Sequence, residues 1–186
     1  MTTLSTKIPI QANPVIASYN YTDIAEATGT SIYYGIIGPG VNTFNLVPFS
    51  DDGRIEATDY GSFANGASTV ADLSAFNLAH TITGTAHITG YFKFNQASGG
   101  SVVFELFHVD GITSTETSMG TFTSLGYGDA TQRQGYTSGA ITETHFKRGD
   151  ILRLKATVSI SANTLQIPAN TTNPFKLYIP FRIDVS

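Results

Sequence analysis

Two stretches late in the chain alternate apolar and polar residues without a break. In the first, Leu152, Leu154, Ala156, Val158 and Ile160 alternate with Arg153, Lys155, Thr157, Ser159 and Ser161. In the second, Phe175, Leu177, Ile179, Phe181, Ile183 and Val185 alternate with Lys176, Tyr178, Pro180, Arg182, Asp184 and Ser186. A period of two sends successive side chains to opposite faces of an extended chain, so each stretch predicts a half-buried strand. The same period runs earlier: Ile82, Gly84, Ala86, Ile88, Gly90, Phe92 and Phe94 point one way, and Thr85, His87, Thr89, Tyr91 and Lys93 the other. Gly84 and Gly90 are expected on the inward side, where a missing side chain permits a bend or a close sheet approach.

Weaker signals fill in the rest. Residues 31–37 and 41–49 read as strands, the second with Phe44, Leu46 and Pro48 on one face, and 54–60 as the strand returning from Asp52-Gly53. Residues 101–109 are nearly all apolar and predict a strand buried on both faces, ending at the Asp110-Gly111 turn. Residues 115–125 predict a further strand, and 140–146 pair through Lys147-Arg148-Gly149-Asp150 with the strand that follows. Residues 61–71, 71–79 and 126–139 read as loops, the last long enough to carry a function. Pro9 and Pro14 make 1–19 an extended arm, and Thr22 is placed to cap one helical turn over 23–27. About eight to ten strands with no amphipathic helix predict an all-β fold. The expected architecture is a single jelly-roll β-sandwich of two antiparallel sheets over 20–186, preceded by the arm.

Composition narrows the function classes. Charged residues are 13% of the chain, about half the usual share. The balance is −4, and the longest basic run is Lys147-Arg148, so no nucleic-acid partner is expected. There is no cysteine, hence no disulfide, thiolate metal site or cysteine nucleophile. The 12 Phe and 9 Tyr supply core and contact area without such staples. Residues 1–7 lack a basic segment followed by an apolar run, and no apolar stretch approaches the ~18 residues of a membrane span. Synthesis in a cytoplasm and no membrane partner are the expectations.

Candidate chemistry is sparse. His80, His87, His108 and His145 form no metal-binding pair, and no serine sits in a Gly-x-Ser-x-Gly elbow. No catalytic, metal-ligating or cofactor-binding residue is therefore singled out. Asp51, Asp52, Asp110, Asp129 and Asp150 fall in turns, where aspartate serves the backbone. Arg148-Gly149-Asp150 spells an integrin tripeptide, yet Gly and Asp also close the turn between two strands. Asn20-Tyr21-Thr22 and Asn170-Thr171-Thr172 match the glycosylation pattern. Tyr127, Arg133 and Tyr136, on a predicted loop, are candidates to stack a sugar or contact a partner. In the arm, Ile8, Ile10, Val15 and Ile16 are candidates for docking onto a larger surface.

The block 140–186 resembles the end of tumour-necrosis-factor-like jelly rolls. In those domains a Gly-Asp turn leads into an alternating strand and an aromatic-rich strand closes the sheet. Here the matching residues are Phe146-Lys147-Arg148-Gly149-Asp150-Ile151-Leu152-Arg153-Leu154 and Phe175-Lys176-Leu177-Tyr178-Ile179-Pro180-Phe181. The basic-Gly-Asp turn and the closing Leu-Tyr-Ile-Pro-Phe-Arg-Ile-Asp strand also resemble decoration and head-fibre proteins of tailed phages. That resemblance implies a non-enzymatic bacteriophage virion protein, of capsid-decorating or fibre type, that self-associates as a homotrimer and binds a capsid shell or other virion protein. A carbohydrate-binding module or receptor-binding tip is the alternative, and a cupin-like enzyme ranks last for want of ligand spacing. Pro180 departs from the resemblance: the closing strand is central there, and proline cannot donate to a ladder. Either a bulge or a different strand order is expected.

Overall fold

The computed structural model describes residues 17–18, 28–37, 44–48, 60–64, 66–94, 100–127, 133–160, 164–168 and 174–182. Among them there is no helix. Twelve strands run in order as β1 (Ala17–Ser18), β2 (Thr28–Ile37), β3 (Phe44–Val47), β4 (Tyr60–Ala64), β5 (Ser68–Asp72), β6 (His80–Phe94), β7 (Gly100–Val109), β8 (Glu116–Tyr127), β9 (Arg133–Phe146), β10 (Ile151–Ile160), β11 (Thr164–Pro168) and β12 (Phe175–Arg182).

The strands form two layers of a jelly-roll sandwich. One has the order β2-β12-β6-β9, the other β3-β5-β10-β7-β8. The layers are continuous, because β3 pairs antiparallel with β2 and, through Phe44↔Ala71 and Asn45↔Asp72, parallel with β5. At the opposite side β8 runs against β9 so closely that a side-chain carbon on Gly120 would fall 2.6 Å from the Ala140 carbonyl oxygen. The sheet is thus nearly closed into a barrel. Such closure protects edges that would otherwise recruit foreign strands. A ribbon of β4 and β11 extends the end of β6, and β1 lies along β2.

The alternating sets meet between the layers. Ile82, Ala86, Ile88 and Phe92 of β6, Phe104 and Leu106 of β7, Leu152, Leu154 and Val158 of β10, and Leu177 and Ile179 of β12 are all buried. Phe175 lies opposite Gly35 of β2, and carbons added at Gly35 and Gly90 would fall 2.8 and 3.0 Å from its ring. The two glycines therefore make a slot for one aromatic ring, which also meets Phe104 at 5.9 Å.

Pro180 is accommodated by a bulge. β12 is central, between β2 and β6. Its register against β6 jumps between Tyr178↔His87 and Phe181↔Ile82. Gly84, at φ +110°, stands opposite the ring, with 3.2 Å from an added carbon to the proline Cγ. Only glycine holds that φ without strain.

Several details differ from the sequence reading. Gly84 is exposed rather than inward, because the bulge breaks the alternation there. Residues 61–71 contain β4 and the start of β5, and 133–139 belong to β9; their small residues form strands because long neighbours supply the ladder. Residues 163–174, between the two alternating stretches, contain β11. β7 is buried on alternate positions and half-buried on the others, so one of its faces looks outward. The expected strand at 54–60, apart from Tyr60, and the helical turn at 23–27 lie outside the described residues.

Candidate binding face

Burying one side of β2, β12, β6 and β9 leaves the other side as a continuous outer face. Its register sets out rows of side chains. Ile32, Tyr178, His87 and Ser138 form one row, and Tyr34, Lys176, Thr89 and Tyr136 the next, followed by Tyr91 beside Gln134. Tyr34, Tyr91, Tyr178, His87 and Lys176 are half-buried, and Tyr136 is 58% exposed. The rings are not loose. His87 Nδ1 and the Tyr136 hydroxyl share a hydrogen bond of 2.5 Å, with their rings stacked at 5.7 Å. The Lys176 ammonium stands 5.6 Å above the Tyr34 ring, a cation–π contact that holds both side chains upright.

The opposite outer face is organised differently. On it Arg153 donates from Nε and Nη2 to the two carboxylate oxygens of Asp72, both at 2.6 Å, and from Nη1 to Glu116 at 2.5 Å. These carboxylates raise the arginine pKa still further. Ser118 donates to Glu105 at 2.6 Å. Arg153 is thus tied to two carboxylates there, and Glu105 to a hydroxyl. No such pairing occurs on the tyrosine face, whose Lys93, Lys176 and Arg182 form no ion pair among the described residues.

A third cluster joins the connections at one end of the sandwich. The buried Asp150 carboxylate accepts from His108 Nε2 at 2.7 Å, from the Lys147 N–H at 2.8 Å and from the Gly111 N–H at 3.0 Å. Burial pushes its pKa up, but the Gly111 amide, His108 and the Lys147 amide together hold it below the usual carboxylate range. The strap 73–79 is tied to the same turn, with the Phe76 N–H donating to the Asp150 carbonyl and the Gly149 N–H to the Phe76 carbonyl. Asp110 accepts from the Ile112 and Thr113 amides within its own turn. The aspartate of Arg148-Gly149-Asp150 is therefore a buried structural group, whose carboxylate is already filled with donors.

Of the residues singled out from sequence, Tyr136 joins the tyrosine face as part of β9 rather than of a loop. Tyr127 ends β8 and Arg133 begins β9, on either side of a segment outside the described residues. Ile8, Ile10, Val15 and Ile16 also lie outside the described residues. Tyr34, His87, Lys176 and Tyr178 were not singled out. Their signal was present in the polar half of each alternating strand, which carries tyrosines and cations but, apart from Glu143 on β9, no carboxylate. No group of three or more metal-ligating side chains converges among the described residues. A void of about 20 Å³ in the core, between Gly35, Leu46, Ala71, Leu154 and Phe175, is apolar and has room for no more than a water molecule.

No protein-family model matches the chain, and no curated protein does. Solved structures do match. A CocE/NonD family hydrolase from Staphylococcus aureus superposes with a TM-score of 0.64 at 9% identity, covering 84% of this chain and 37% of that one. An aminopeptidase from a marine sediment Thaumarchaeota archaeon follows at 0.62 and 7%, covering 80% and 36%. The chain spans little more than a third of either protein. At these identities the likeness is one of fold alone. Eiger TNF from S. frugiperda also aligns, over 83% of this chain and 94% of its own, with 8% identity and a TM-score of 0.40.

Proposed function

We propose that the chain is a non-enzymatic structural protein of a bacteriophage particle, of capsid-decorating or fibre type, that acts by adhesion. It is made in the host cytoplasm, assembles as a homotrimer and is held to the shell or another virion protein by the segment before residue 20. The tyrosine face is its adhesive surface. One observation carries this reading: two outer faces of the same sandwich differ, one with an arginine tied to two carboxylates and one presenting aromatic rings beside cations that form no ion pair among the described residues. The jelly-roll fold and the resemblance of its closing strands to virion proteins support the setting.

Adhesion to a foreign surface is favoured over a subunit contact through this face. A homomeric contact would bring Lys93, Lys176 and Arg182 of two copies together with almost no carboxylate to receive them. Mass spectrometry of purified particles tests the setting, since the chain should be present in stoichiometric amount. Native mass measurement tests the assignment: wild type and Tyr178→Glu should show the same trimer. A variant that falls apart into monomers would move the face to the subunit interface and refute it.

A further inference from the structure

On the tyrosine face the strands present Lys93, Lys176 and Arg182 against the single carboxylate Glu143 among the described residues, in a chain whose formal balance is −4. Strands β5, β7, β8 and β10 of the other layer carry Arg153 and Lys155 against Asp72, Glu105 and Glu116. Among the described strands, cations thus outnumber carboxylates on the face that holds the tyrosines, and carboxylates outnumber cations on the other. From this charge asymmetry we infer that the face binds an anionic polysaccharide, one bearing carboxylates along its length. The inference rests on the adhesive reading above and names the partner of that surface.

The arrangement fits such a ligand in three respects. Tyr178, Tyr91 and Tyr136 offer rings to the apolar faces of sugars, while Thr85, Thr89 and Ser138 offer hydroxyl partners to sugar hydroxyls. The cations are spread along the strands. Lys176 sits level with Thr89, four residues from Lys93 on β6, which at ~3.4 Å per residue is roughly 14 Å; Arg182 lies six residues beyond Lys176, roughly 20 Å. Cations so dispersed suit carboxylates recurring along an extended chain. They do not suit nucleic acid, which requires several cations converging on closely spaced phosphates. Lys176, already set over Tyr34, joins charge and ring at the centre.

Affinity electrophoresis through gels containing polygalacturonate, with neutral dextran as the comparison, tests this. Wild type should be retarded by polygalacturonate and not by dextran, and added salt should weaken the retardation. Tyr178→Ala and Lys176→Ala should each weaken apparent affinity about tenfold. The triple variant Lys93→Glu, Lys176→Glu, Arg182→Glu should abolish binding, and Lys155→Glu on the opposite face should leave it unchanged. Thermal melting of each variant separates lost binding from lost folding. Failure of wild type to bind polygalacturonate overturns the inference, as does tighter binding to oligothymidylate. Dextran binding that needs Tyr178 but not the cations overturns the anionic class while leaving the adhesive face standing. Dissociation of the trimer by Tyr178→Glu overturns both.

Discussion

Replacing Asp150 with asparagine tests the connection of the three chain segments at one end of the sandwich. The carboxylate accepts three hydrogen bonds, from His108 and Lys147 on one oxygen and from Gly111 on the other. An asparagine offers one acceptor oxygen. If that oxygen keeps His108 and Lys147, its NH2 group faces the Gly111 N–H, and a part-buried donor loses its partner at about 1 kcal/mol. The two surviving bonds also lose charge assistance, about 1 kcal/mol each. A total of about 3 kcal/mol is a large fraction of the 5–15 kcal/mol that typically holds a domain together. It should lower Tm by roughly 6–12 °C for a chain of this size. Urea denaturation followed by tyrosine fluorescence and circular dichroism reads the loss, there being no tryptophan. The pH dependence follows from the direction of the Asp150 shift. A carboxylate with a depressed folded pKa stabilises above its unfolded value, about 3.9, and loses that contribution as pH falls through the folded one. The gap between wild type and variant should therefore be full at pH 7 and shrink below about pH 4. A loss under about 1 kcal/mol at pH 7, or a gap unchanged down to pH 3, would refute the assignment.

Three further outcomes are expected. Gly84→Ala should cost roughly 1–2 kcal/mol by denaturant titration, because its φ of +110° strains any side chain. Gly35→Ala should cost about 1–3 kcal/mol, since its new methyl meets the Phe175 ring at 2.8 Å. Pairing it with Phe175→Leu should recover part of that loss. Arg153→Ala, although it removes a two-pronged contact with Asp72, should cost only about 1 kcal/mol or less and lose its effect in high salt, because its partners are more than a third exposed.

How far the fold was legible depended on whether a strand's information lay within itself. β6, β10 and β12 declare themselves by alternation, which survives outside the bulge because one face of each is buried over most of its length. β4 and β5, built from Tyr60-Gly61-Ser62-Phe63-Ala64 and Ser68-Thr69-Val70-Ala71-Asp72, carry little pattern and owe their state to β11 and β10. Pro180 posed a choice between a bulge and another strand order, and the resolving residue, Gly84, lies on the neighbouring strand. The face was legible only in part. Tyr136 drew notice for its ring, but its position depends on extending β9 back to Arg133. His87, Lys176 and Tyr178 become neighbours only once β12 is inserted beside β6, a long-range pairing that local pattern does not encode.

The shared anchoring of 73–79, 110–115 and 147–150 also constrains how this protein can vary. Each is a surface connection, the kind of segment that ordinarily tolerates insertion and drift on its own. Here Gly111, pressed so closely on Gly149 that an added carbon would fall 2.2 Å from its carbonyl oxygen, leaves no room for an independent change. Homologues should alter the three together or not at all, and a foreign peptide spliced into one would be expected to need matching edits in the other two.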